Sequence, residues 1–396
     1  MRGVLIAGFP YIRERYFATW RHYLRPEDLH FLLPKRWTAK SGKVVFTPPD
    51  DERVSTATTL FPHSHFPVIG GLLKGWMPAF PLHLWHMRRS VSLVYACSEP
   101  TLLSTLYFSL FTKLLRKKLV LFTWENIPYE QKLRGLSRFI HLAILHLNLL
   151  LSDGLICGNP EGELIHRQYT GKPITVIPMN GLDPKFFSRS AVRANYQLPI
   201  SDIPRDSVVF TYIGAIGYRK GIHLAVRALP EVLKKVPNAY LVIAGSGEYE
   251  KGLDAEIAHS GAHERIIRIP WLDGEGVRAL LAASDVFLYP SIPYGGWAEQ
   301  FGYSMAEASL MEVPVIATHS GSIPYVVRHE RTGLLVSPDD VGALGDAMAR
   351  LGADDDLRQR LGKQGRQSVS ERFSHRAVGK QFYEFFNRVN RKSPSA

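Results

Sequence analysis

Short apolar runs bounded by Gly, Pro, Asn or Asp recur along this 396-residue chain, and they alternate with stretches in which apolar residues return every three or four positions. The runs predict strands and the stretches predict helices. In the first half the strand runs are GVLIAGF from Gly3, DLHFLLP from Asp28, KVVFTPP from Lys43, SLVYAC from Ser92, KLVLFTW from Lys118, DGLICGN from Asp153 and ITVIPM from Ile174. In the second they are VVFTYIGAI from Val208, AYLVIAGSG from Ala239, RIIRIPW from Arg265, DVFLYPS from Asp285, VPVIATHS from Val313 and TGLLVSP from Thr332. Segments between them, such as KGIHLAVRALPEVLKKV from Lys220, carry helical spacing and short connections. Strands alternating with helices predict parallel, doubly wound α/β sheets, and the length is enough for two domains with full cores.

Residues 1–184 read as an N-terminal Rossmann-like domain, 185–206 as a linker, 207–372 as a second such domain, and 373–396 as a helix returning to the first. The hinge is expected within the Pro- and Asp-rich stretch from Asn180 to Ser207.

Composition narrows the setting. The two cysteines, Cys97 and Cys157, each sit in an apolar run, so no disulfide framework is expected and a reducing cytoplasm is the simplest location. The first apolar run stops at Pro10 and is followed by charged residues rather than a cleavage site, so it reads as a buried strand. FIHLAILHLNLLL, from Phe139 to Leu151, falls well short of the roughly 20 apolar residues that span a bilayer, so no transmembrane helix is expected.

The net charge is +12, and residues 1–190 hold most of it, with 24 basic and 13 acidic side chains against 24 and 23 in the remainder. A basic first half attracts anionic surfaces. LYFSLFTKLLRKK, from Leu106 to Lys118, and KLRGLSRFIHLAIL, from Lys132 to Leu145, mix apolar and basic residues at near-helical spacing. They fit core helices with basic ends and also a peripheral membrane face.

The chemistry concentrates in the second half. In doubly wound sheets ligands sit beyond the carboxyl ends of strands, where glycine loops lead into helices. Three such junctions occur: YIGAIGYRKG with Gly214, Arg219 and Lys220, IAGSGEYE with Gly245, and EQFGYS leading into a helix near Gly302. Amides of Gly302, Tyr303 and Ser304 at that helix start would face a phosphate, and Lys220 would add a point charge to a diphosphate. Glu299 and Glu307 flank this anion site, a layout that suits a ligand with a sugar at each end, as in a nucleotide sugar.

The set E-x7-E with FG after the first acid, GYRKG, LVIAGSG, SDVFLYPS, VIPMNGLD and TGLLVSPDD resembles the signature of the retaining GT-B glycosyltransferases, glycosyltransferase family 4, over roughly residues 150–375. The resemblance implies two Rossmann-like domains facing a cleft. It implies that Glu307 holds the ribose, that Glu299 meets the donor sugar, and that Phe301 to Ser304 contact sugar and diphosphate through the backbone. It further implies that Lys220 binds the phosphates and that the base lies along Arg268 to Trp271. Transfer in that family is metal independent, with the phosphate-binding groups stabilising the departing nucleoside diphosphate, so neither cofactor nor metal is expected.

Two positions depart from the family pattern. Ala215 stands where an arginine usually follows the loop glycine. FTWENIPYE, from Phe122, stands where a histidine is common, which makes Glu125 a candidate at the reaction centre and, equally, a helix-capping residue.

Other groupings read more plainly. His63 to His65 and His83 to His86 are loop or groove histidines rather than a metal site. Asp354 to Asp356 form a solvated helix start, and Gly274 to Gly276 a turn. The resulting expectation is a retaining hexosyltransferase, cytoplasmic or peripheral on the inner membrane face, with a lipid-linked or polysaccharide acceptor and no nucleic-acid partner. A nucleotide-sugar epimerase, a phosphorylase or a catalytically silent sugar-nucleotide-binding module are the alternatives.

Overall fold

The computed structural model describes residues 3–10, 14–38, 44–46, 48–62, 69–191 and 197–391. The chain forms two compact units, Met1–Gly181 with His375–Ala396, and Leu182–Ser374.

The sheet of the first unit contains β1 (Gly3–Ala7), β2 (Leu29–Pro34), β3 (Val54–Ala57), β4 (Val91–Ala96), β5 (Lys118–Thr123), β6 (Gly154–Cys157) and β7 (Ile174–Val176). All pairings are parallel, in the order β3-β2-β1-β4-β5-β6-β7. Strands β1, β4, β5 and β6 are almost wholly buried runs, as expected of a parallel sheet covered on both faces. One face carries α1 (Glu14–Arg21). The other carries α2 (Phe80–His86), α3 (Leu103–Leu114), α4 (Gly135–Leu151) and α5 (Pro160–Arg167).

Two strand expectations shift here. KVVFTPP supplies only Val44–Phe46, paired antiparallel with Trp37–Thr38 outside the main sheet. The edge strand is instead Val54–Ala57, whose VSTA sequence is too polar to register as an apolar run.

In the second unit the strands are β8 (Val208–Ile213), β9 (Ala239–Ala244), β10 (Ile266–Ile269), β11 (Val286–Tyr289), β12 (Val315–Thr318) and β13 (Gly333–Val336). They are all parallel, in the order β10-β9-β8-β11-β12-β13. Its longer helices are α6 (Ile222–Lys235), α7 (Glu250–His259), α8 (Gly274–Ala282), α9 (Tyr303–Leu310), α10 (Val341–Ala353) and α11 (Asp355–Phe373). Strand order reverses between β8 and β11, which makes their carboxyl ends the point where such a sheet opens a crevice.

Gly274 to Gly276, expected as a turn, instead begin α8, because Asp273 accepts a hydrogen bond from the Gly276 amide at 2.8 Å and caps the helix. Asp354 caps α11 in the same way through the Leu357 amide. The last helix, α12 (His375–Arg391), belongs to the first unit. Its Val378, Phe382, Phe385, Phe386 and Val389 pack with Trp20, Phe31 and Tyr95 in the core on the α1 face. Residues 192–196 of the expected linker and His63 to His65 lie outside the described residues.

Candidate functional site

At the switch point of the second unit, three side chains from separate segments converge. Lys220 follows β8, Tyr289 ends β11, and Glu299 lies in the loop before α9. The Lys220 Nζ is 2.5 Å from Glu299 Oε2 and donates to the Tyr289 hydroxyl at 3.0 Å, while that hydroxyl donates to the same Glu299 oxygen at 2.5 Å. The Gln300 amide donates to Glu299 Oε1 at 3.2 Å.

All three side chains are largely buried, which sets their electrostatics. Desolvation pushes the Lys220 ammonium below its ordinary range, and the Glu299 charge opposes that shift. Burial and the neighbouring carboxylate raise Tyr289 well above an ordinary phenol, so it stays protonated and donates. Glu299 is thus balanced by an ammonium and a phenol in a water-poor pocket.

Arg219 stands next to this group, with its guanidinium 3.7 Å from the centroid of the Trp297 ring, and Lys220 Nζ is 4.8 Å from the same ring. Trp297 closes a two-residue hairpin through Gly295 and Gly296, with reciprocal backbone bonds to Tyr294 at 3.0 Å. Arg219 Nη1 is buried without a hydrogen-bond partner among the described residues. A stacked guanidinium with an unsatisfied N–H has a donor left for an anion.

The glycine loops bring the backbone close to the same strand ends. Gly245 follows β9 with φ 144°, and a Cβ there would collide with the Gly214 carbonyl oxygen, so β8 and β9 can end side by side only with glycine at this position. Gly302 has φ 77° and forms the N-cap of α9, where a Cβ would run into the Met305 methyl group. Gly302 thus places the N-terminus of α9 beside the strand ends, and a helix N-terminus favours anions. Phe301 is buried against Tyr303, Tyr325 and Phe373 and anchors that loop. Ser304 and Glu307 lie partly exposed on α9, and Trp271 is 66% exposed beyond β10. Ala215 is exposed in the loop after β8.

Glu125 belongs to the first unit. Its Oε1 accepts from the Asn126 and Ile127 amides at 3.2 Å, and both of its oxygens accept from Lys132 Nζ at 2.8 and 2.9 Å. These are the bonds of a turn-capping carboxylate. A second acid there went unnoticed in the sequence: Glu99, at the carboxyl end of β4, accepts from Thr123 Oγ1 at 2.7 Å and the Trp124 amide at 2.8 Å. Burial pushes its carboxyl up to about 7, against the lowering effect of those two bonds. Tyr289 and Trp297 were also missed. Tyr289 stood at the end of a strand run, one residue before Pro290, a position where strand side chains meet ligands. For Trp297 the only signal was its neighbouring glycine pair. Among the described residues, no group of His, Cys, Asp and Glu is arranged to hold a metal.

Residues 197–368 match the family described as Glycosyl transferases group 1. That segment is thus similar to the group 1 glycosyltransferases. The chain spans about half the length of the curated relatives it matches. An uncharacterized glycosyltransferase of Methanocaldococcus jannaschii is 26% identical over 205 residues, 51% of each chain. The GDP-mannose-dependent alpha-(1-6)-phosphatidylinositol monomannoside mannosyltransferase of Mycolicibacterium smegmatis is 30% identical over 202 residues, 50% of this chain and 51% of that one. Among solved structures, HepE of Anabaena in complex with UDP superposes with a TM-score of 0.71 at 17% identity, covering 98% of this chain and all of that one. With the two parallel-sheet units, this likeness makes the fold GT-B.

Proposed function

We propose that the protein is a retaining glycosyltransferase that moves a hexose from a nucleoside-diphosphate sugar to a lipid-linked or polysaccharide-type acceptor. The observation that carries the reading is the convergence of Lys220, Tyr289 and Glu299 at the switch point of the unit that matches the group 1 glycosyltransferases. In this reading the donor diphosphate lies between Lys220, Arg219 and the N-terminus of α9. It takes up the Arg219 donor that has no partner among the described residues, while Glu299 accepts from hydroxyls of the transferred sugar and Glu307 from the ribose. Cations and amides fixed before the reaction stabilise the negative charge that grows on the leaving nucleoside diphosphate as the glycosidic bond breaks. The chain's own residues supply this stabilisation, so we propose transfer without a metal.

Support for the acceptor class comes from relatives. The Mycolicibacterium protein is named for a mannosyl transfer involving a phosphatidylinositol monomannoside, and a Staphylococcus aureus relative is named for capsular polysaccharide biosynthesis.

The test is calorimetric binding of a panel of UDP, GDP, TDP and ADP sugars, followed by assay of slow donor hydrolysis and NMR of the anomeric configuration in the released sugar. Binding and hydrolysis of one donor with its configuration kept support the reading. Binding without turnover, even with glycolipid and oligosaccharide acceptors added, would replace it with a silent sugar-nucleotide-binding module.

A further inference from the structure

The outer surface of α2, α3 and α4 carries an apolar face that the fold does not cover. On α4, Leu136, Phe139, Ala143, Leu147 and Leu150 recur at intervals of three or four residues and are all exposed, with Leu136 at 73%, Phe139 at 71% and Leu150 at 71%. That spacing is one continuous stripe along a helix. The opposite side of the same helix, Ile144, Leu145, Asn148 and Leu149, is buried against the sheet, so the outward stripe is not needed for the core. Its neighbour α3 adds exposed Leu110 and Leu114, and α2, which packs on α3, adds Leu82 and Trp85. Exposed apolar side chains gathered on three helices that pack in sequence mark an interaction surface.

The charges around it select the partner. Arg89, Arg116 and Arg134 are exposed at the ends of these helices, and the Arg88 guanidinium stacks 4.2 Å above the Trp85 ring. The nearby acids are already matched to cations, Glu130 to Arg138, Glu125 to Lys132 and Asp153 to Lys113 and Lys118. An apolar helix face with a basic rim fits the acyl boundary and headgroups of an anionic bilayer. A second copy of the chain would bring the same cations face to face.

We infer that the outer face of α2, α3 and α4 docks on an anionic lipid bilayer, inserting the α4 stripe while Arg89, Arg116 and Arg134 meet the headgroups. The inference does not rest on the glycosyl-transfer reading. Of the three basic residues that end the Leu106 to Lys118 segment, only one belongs to the rim. Lys118 is held by Asp153, and Lys117 donates to the Arg88 carbonyl at 2.5 Å, so both reach inward and Arg116 is the surface cation of that run.

Co-sedimentation with vesicles of phosphatidylcholine alone and of equimolar phosphatidylcholine and phosphatidylglycerol tests it, at low and high salt, with light scattering on the protein alone. Two triple variants change exposed positions only: Leu136→Ser, Phe139→Ser, Leu150→Ser in the stripe, and Arg89→Glu, Arg116→Glu, Arg134→Glu in the rim. Wild type should pellet with the anionic vesicles, and raising salt should release it as screening shortens. Each cation at such a surface contributes about fivefold in partitioning, so the rim variant should bind more than tenfold more weakly. The stripe variant should weaken comparably, and circular dichroism establishes that each is folded; if one is not, the other decides. Wild type that stays in the supernatant with anionic vesicles overturns the inference. So does binding that neither variant changes, or a dimer that the stripe variant converts to monomer.

Discussion

The Lys220 ammonium and the Glu299 carboxylate, 79 residues apart in sequence, form a largely buried ion pair in which the Tyr289 hydroxyl bonds to both. Removing one member of such a pair leaves the other desolvated and unmatched, which costs about 3–5 kcal/mol. Lys220→Met and Glu299→Gln should each lower the unfolding free energy in urea, and the double variant should lose less than the sum of the two. Lys220→Met should also nearly abolish turnover, whereas Ala215→Arg, at an exposed loop position, should be tolerated or raise it. Strict additivity of the stability losses in the double variant would mean that the pair is not coupled.

Glu307 tests the ribose assignment. A lost charge-assisted hydrogen bond is worth roughly 1.5–3 kcal/mol, so Glu307→Ala should weaken the bare nucleoside diphosphate about 10- to 150-fold. Calorimetry with the diphosphate that wild type prefers decides this, since an unchanged affinity would move the ribose elsewhere.

Arg219 is positioned by a ring rather than by a carboxylate. Stacking on Trp297 keeps its planar fork in place, with Nη1 unpaired among the described residues. Arg219→Ala should therefore weaken diphosphate binding about tenfold or more, and Arg219→Lys should not restore it, because an ammonium lacks the fork. Trp297→Leu should lose a smaller factor, about two- to fivefold, by releasing the cation–π contact. Titration of these three variants with one diphosphate ranks them.

Glu99 makes stability depend on pH. Burial pushes its carboxyl up to about 7 in the folded protein, from an ordinary 4.5. Below about pH 4.5 the group is protonated in both states and carries no penalty. Between there and about 7 the unfolded chain loses the proton first, so stability falls as pH rises, and above 7 the loss is complete. The total is on the order of 2 kcal/mol, less than a fully enclosed carboxyl would give because the residue keeps some contact with water. Glu99→Gln should stabilise the protein at pH 8 and leave it near wild type at pH 4.5. Urea unfolding at the two pH values checks this, and an equal effect at both would rule it out.

The legible parts of the molecule were those that short-range patterns encode. All six strands of the second sheet appear as apolar runs because both faces of that sheet are covered, and the glycines at 214, 245 and 302 mark its loops. Other features depend on partners distant in the chain. Val54–Ala57 is a strand because β2 offers a free edge, although its own sequence lacks the apolar signature. The Lys220 to Glu299 pair was likewise invisible: Lys220 and Glu299 were each recognisable as candidates, but nothing local says that Tyr289 ties them together before any ligand arrives. Glu125 is the converse case, since the FTWENIPYE segment names a candidate while the bonds to Lys132 and two amides come from the turn it closes.

The placement of α12 bears on the order in which the protein can be made. Residues 182–374 form one unbroken stretch and hold everything their own core requires, so this unit needs no segment from outside that stretch to fold. The first unit is synthesised earlier but completed later. Val4, Trp20 and Phe31 wait for Phe382, Phe385 and Phe386 to close the core around them. Until the chain has been extended through Arg391, its first 181 residues stay open on the α1 face, and the unit that begins first is the one that depends longest on protection from aggregation.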